Sequence, residues 1–68
     1  MRKIHCIIYE DAGQFVAQCV NTGVATQGDT YEEGLRNIRE AVELYFEDDD
    51  APYVPIGAIT LAEQYVNA

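Results

Sequence analysis

Residues 26–47 read TQGDTYEEGLRNIREAVELYFE, and this stretch decides the fold. Before Gln27 the apolar residues recur every second position; after Thr30 they follow a helical period. Asp29 or Thr30 suits the N-cap, and Thr30 with Glu33 has the spacing of a capping box. Glu32 and Glu33 fall in the first turn, where the helix dipole favours negative charge. At about 100° per residue, Tyr31, Gly34, Leu35, Ile38, Ala41, Val42, Tyr45 and Phe46 share one arc. Glu32, Arg36, Glu40, Glu43 and Glu47 occupy the opposite side. The pattern predicts an amphipathic helix over 30–47. Gly34 costs about 1 kcal/mol relative to Ala inside a helix, so its place in the apolar arc predicts close approach to a sheet. Leu44 is the one apolar residue on the polar side. Glu32 and Arg36 form an i,i+4 pair in the better orientation, worth about 0.3 kcal/mol.

Outward toward the N-terminus, residues 2–9 (RKIHCIIY) are rich in β-branched and aromatic side chains and predict a strand. Ile4, Cys6 and Ile8 take one face; His5, Ile7 and Tyr9 take the other. Glu10-Asp11-Ala12-Gly13 predicts a turn, and residues 14–20 a second strand that completes a hairpin. Phe15, Ala17 and Cys19 share a face there. Asn21-Thr22-Gly23 turns the chain again, and Val24 to Gln27 form a short third strand closed by Gly28. One helix covers one face of such a sheet, yet the first strand is apolar on both, Ile4/Cys6/Ile8 and Ile7/Tyr9, so whichever face is uncovered would expose an apolar patch, the mark of a partner or self-association surface.

Outward in the other direction, Asp48-Asp49-Asp50 places three carboxylates against the negative end of the dipole, which ends the helix in a loop. Pro52 and Pro55 mark a connector. In residues 57–68, Ala58, Leu61, Ala62 and Tyr65 have helical spacing, whereas Ile59, Leu61 and Tyr65-Val66 suit a strand. The reading taken is a fourth strand within 59–66. The chain is thus expected to be a single α+β domain over residues 1–68: a small antiparallel sheet of three to four strands with one amphipathic helix, β-β-β-α-(β).

Twelve acidic residues stand against four basic ones, Arg2, Lys3, Arg36 and Arg39, for a net charge of −8. Four scattered cations make no phosphate-binding patch, so direct nucleic-acid binding by the chain alone is not expected. The charge suits a basic partner. A domain of about 60 residues buries only about 60% of its unfolded surface, so self-association is the expected reinforcement. The absence of a signal peptide or a long apolar run gives the expectation of a cytoplasmic chain without membrane attachment, in which Cys6 and Cys19 stay as free thiols.

The residues offer little to catalysis. His5 is the only histidine and has no motif around it. Cys6 and Cys19 would face each other only if Ala12-Gly13 is a two-residue turn, and two thiols with one histidine fall short of a closed zinc site. Asp48-Asp49-Asp50 lacks the spaced ligands and glycine of a calcium loop. A two-metal nuclease needs strand-borne carboxylates, and Ile4 to Tyr9 contains none. No catalytic residue, metal or cofactor is expected.

Three segments nonetheless resemble one family. Residues 9–19 (YEDAGQFVAQC) look like the first hairpin of the HicB family of antitoxin-like proteins. Residues 26–35 (TQGDTYEEGL) resemble its Ser/Thr-Gln-Gly turn leading into a Thr-x-Glu-Glu-Ala-Leu helix start. Residues 37–47 (NIREAVELYFE) are similar to its Asn-x-x-Glu-Ala-Ile-Glu-Leu-Tyr-x-Glu helix. The resemblance implies a partial ribonuclease-H-like fold without nuclease activity, assembly into dimers or tetramers, and an antitoxin that masks a small basic RNA-cleaving toxin of the HicA type. Sixty-eight residues leave no room for the C-terminal DNA-binding domain that many members carry, so repression of an operon by this chain alone is not expected. Leu44, Glu47, Asp48, Asp49 and Asp50 are the candidate partner contacts, an apolar residue beside concentrated charge. The alternatives are an oligomeric HicB-like module with no toxin and a divergent metal-dependent nuclease.

Overall fold

The computed structural model describes residues 1–68 and orders them as β1 (Cys6–Asp11), β2 (Gln14–Cys19), β3 (Ala25–Gly28) and α1 (Tyr31–Tyr45). The strands form one antiparallel sheet in the order β1-β2-β3, with the helix on one face. This is the expected two-layer α+β arrangement. No helix is long and apolar enough to cross a membrane.

The first turn fixes the register of everything after it. Ala12 and Gly13 take φ of 52° and 80°, the left-handed values that a tight two-residue hairpin requires. The ladder therefore runs from Asp11↔Gln14 to Cys6↔Cys19. β1 begins at Cys6 rather than Arg2, and it continues through Glu10 and Asp11, which the sequence had placed in the turn. Paired residues share a face, so Cys6, Ile8, Ala17 and Cys19 point toward the helix while Ile7, Tyr9 and Val16 point away. β3 pairs with β2 from Gln18↔Ala25 to Phe15↔Gly28, one residue later than the spacing predicted.

The helix starts as its capping residues dictate. The Thr30 hydroxyl accepts the Glu33 N–H at 3.1 Å, and the Glu33 carboxylate accepts the Asp29 N–H at 3.2 Å. Gly28 and Gly34 bring the helix onto the sheet. A Cβ on Gly28 would lie 2.7 Å from the Gly34 backbone nitrogen, and one on Gly34 would lie 3.3 Å from the Phe15 carbonyl oxygen. Ile38 and Val42 then close on Ala17 and Cys19, the four residues of the buried core. The buried stripe is narrower than the apolar arc of the sequence, because Tyr31 and Leu35 are exposed. The cause is an offset: α1 packs over β3 and β2 far more than over β1. The helix ends at Tyr45, two residues short of the predicted boundary, and Asp48–Asp50 form a turn beyond it.

The expected fourth strand is absent. Residues 59–66 are neither strand nor helix, and no backbone hydrogen bond involves residues 57–68. The reason lies in the connector, which is tied to the N-terminal end of β1 and not along its edge. Asn21, only 2% exposed, accepts the His5 N–H at 2.7 Å through Oδ1 and donates through Nδ2 to the Val54 carbonyl at 2.8 Å. Its own carbonyl accepts the Val54 N–H at 2.9 Å. Tyr53 adds a hydrogen bond from its hydroxyl to the Lys3 carbonyl at 2.8 Å, and the Arg2 guanidinium lies 4.7 Å from the Phe46 ring centroid and 5.1 Å from that of Tyr53. Past this strap residues 57–68 run on without pairing to the open edge of β1.

Two substitutions test these contacts. Asn21→Ala strands the His5 N–H and the Val54 carbonyl, so urea denaturation should show a loss of about 2–3 kcal/mol. Gly28→Ala drives a methyl into rigid backbone and should cost about 2 kcal/mol by the same measurement, whereas an unchanged midpoint would contradict the close approach.

Candidate functional site

The structure leaves three surfaces open. The first is the candidate contact set at the end of α1. Leu44 is 68% exposed, and Glu47, Asp48, Asp49 and Asp50 follow it, all exposed. The Asp48 carboxylate accepts the Asp50 N–H at 3.0 Å, and the Asp48 carbonyl accepts the Ala51 N–H at 3.0 Å, so the acidic run is a hydrogen-bonded turn. Tyr45 supports it by donating to the Pro52 carbonyl. No basic residue lies in the last turn of the helix. The nearest ion pair, Arg39 Nε to Glu43 Oε2 at 3.9 Å, is exposed at both ends and contributes little. It replaces the Glu32–Arg36 pair expected from spacing.

The second surface is the sheet face without a helix. Ile7 and Tyr9 are exposed there, with Val16 beside Tyr9 across the ladder. Gln14, Gln18 and Gln27 dilute this apolar face.

The third surface is one the sequence reasoning missed. Because α1 is offset from β1, a groove of about 1280 Å³ opens between them. Ile4, Cys6, Ile38 and Val42 contribute to its apolar lining, and Arg2, Arg36 and Arg39 line it together with Glu32 and Glu43. On a helical wheel Arg36 belongs to the polar face. Its convergence with Arg2 depends on where the N-terminal segment lies, which periodicity does not encode.

The residues weighed for catalysis stay apart. The His5 Nδ1 is buried without a hydrogen-bond partner, and no three His, Cys, Asp or Glu side chains converge to hold a metal ion. Cys6 and Cys19 do face each other, since Ala12-Gly13 is a two-residue turn, and both are free thiols. Burial, and secondarily the neighbouring Cys19, pushes the Cys6 thiol above its ordinary value of 9.0.

A small α+β module with an acidic helix end, a bare sheet face and an apolar groove of mixed charge is thus defined. The chain belongs to the family of unknown function DUF7387, which matches residues 3–55. It is 45% identical over 49 residues to a UPF0150 protein of Helicobacter pylori, covering 71% of this chain and 68% of that one. It is 50% identical over 34 residues to a UPF0150 protein of Synechocystis, covering 50% of this chain and 43% of that one. No solved structure matches.

The Cys6 thiol gives a pH test with a defined sign. Its folded-state value lies above the unfolded one, so the unfolded chain loses the proton first as pH rises. The stability linked to it is complete below pH 9.0 and falls as pH climbs through the folded-state value. Denaturation of wild type and Cys6→Ser across that range should show the steeper decline in wild type.

Proposed function

We propose that this chain is a HicB-like antitoxin that binds and masks a small basic RNA-cleaving toxin of the HicA type. The observation that carries the reading is the exposed end of α1, where Leu44 is followed by four carboxylates, Glu47 and Asp48–Asp50, in a chain of net charge −8. The three segments that resemble HicB proteins support it from the sequence side. A basic toxin is drawn by long-range attraction to this end, and the apolar Leu44 becomes buried on docking. Charge of this kind raises the association rate and selects the partner more than it deepens affinity. Inhibition is by occlusion of the toxin surface and uses no catalytic residue and no cofactor. The antitoxin works in the cytoplasm, as a homo-oligomer.

Mixing the protein with a HicA-type toxin encoded beside it tests this reading. RNA cleavage should stop near one equivalent; cleavage undiminished in stoichiometric excess would sink the proposal. Replacing Asp48, Asp49 and Asp50 together by Lys should slow association at least tenfold in low salt without changing the far-ultraviolet circular dichroism. Equal rates for the two proteins would remove the acidic turn from the interface.

A further inference from the structure

β1 is an edge strand. In the β1–β2 ladder the hydrogen-bonded positions alternate outward from the turn, and Val20 donating to the His5 carbonyl at 2.9 Å fixes their phase. The backbone groups of Cys6, Ile8 and Glu10 therefore point away from β2, along an edge that no strand occupies. An open edge of this kind is a template for another strand. Beside it lies the groove under α1, with an apolar floor and a mixed rim: three of the chain's four cations, Arg2, Arg36 and Arg39, and two carboxylates, Glu32 and Glu43, the latter paired with Arg39.

Residues 57–68 have the complementary character. Ile59, Leu61, Tyr65 and Val66 are exposed, Leu61 to 87%. The segment contains no basic residue, and Glu63 is its only charged one. In an extended strand Ile59, Leu61 and Glu63 share one face, so two apolar side chains and one carboxylate would enter the groove together. Within one chain this does not happen. The radius of gyration is 13.5 Å, against about 11 Å for a compact chain of this length.

We infer that the free edge of β1 and the groove beside it receive residues 57–66 of a second copy of this chain as an added strand. Exchange is reciprocal about a twofold axis, each copy giving one strand and accepting one. Ile59 and Leu61 cover Ile4, Cys6 and Leu35, while Glu63 meets Arg2 and Arg36, the two rim arginines with no carboxylate partner in their own chain. The inference does not rest on toxin masking: a protein that leaves every toxin active could still pair in this way.

The test joins mass and accessibility in the full-length chain. Wild type at 100 µM should have the mass of two chains by light scattering, and Leu61→Asp, which alters an exposed side chain, the mass of one. Alkylation of Cys6 by iodoacetamide, measured in Cys19→Ser backgrounds, should be at least tenfold faster in the Leu61→Asp protein than in its Leu61 counterpart. A wild type that stays monomeric at 100 µM overturns the inference. So does a Leu61→Asp protein that remains dimeric, which would move the interface to another surface such as the bare sheet face. Protection of Cys6 in a monomer, independent of concentration, would mean that the tail folds back on its own chain.

Discussion

The fold depends on how one amide side chain is spent. Asn21 lies buried in the turn after β2 and takes up the His5 N–H on one side and Val54 on the other. A buried polar group without partners costs more than a hydrogen bond gains, so this position holds an amide only if both neighbours are present. The N-terminal segment, the β2–β3 turn and the connector after the helix therefore define one another. The connector carries Tyr53 to Lys3 and Arg2, and through them sets one wall of the groove.

The local chemistry of the chain was legible in its sequence. The Thr30–Glu33 cap, the alternation of β2, the turn at Ala12-Gly13 and the close approach at Gly34 each depend on residues a few positions apart. So does the exposed Leu44 beside its carboxylates, since the phase of a helix fixes which side a residue faces. What escaped was non-local. Nothing near Asn21 indicates that Val54 completes its hydrogen bonds, and nothing near Arg36 indicates that Arg2 joins it at one groove. The fourth strand failed for the same reason: Ile59 and Leu61 satisfy the period of a strand, but a strand also requires pairing, and within one chain residues 57–68 make no backbone hydrogen bond. The buried stripe is narrower than the apolar arc because periodicity carries no information on lateral offset.

The charge of −8 is unevenly placed. Carboxylates stand unmixed in the turn after α1, at Glu47 and Asp48–Asp50, whereas along the groove on the β1 side Glu32 and Glu43 are interspersed with Arg2, Arg36 and Arg39. The negative charge is therefore concentrated at one end of the molecule. Such a placement orients an approaching basic partner before contact.

The strap has a kinetic consequence. Its clasp at Asn21 joins residues 33 apart, whereas the sheet and helix are built from elements adjacent in sequence. Short-range pairings close sooner than long loops, so on a growing chain the hairpin and helix form first and the strap fastens last. In the finished protein the order reverses. The clasp can open without unpairing the sheet ladder, and hydrogen exchange at Val54 would report a local event that leaves the core amides of β2 protected.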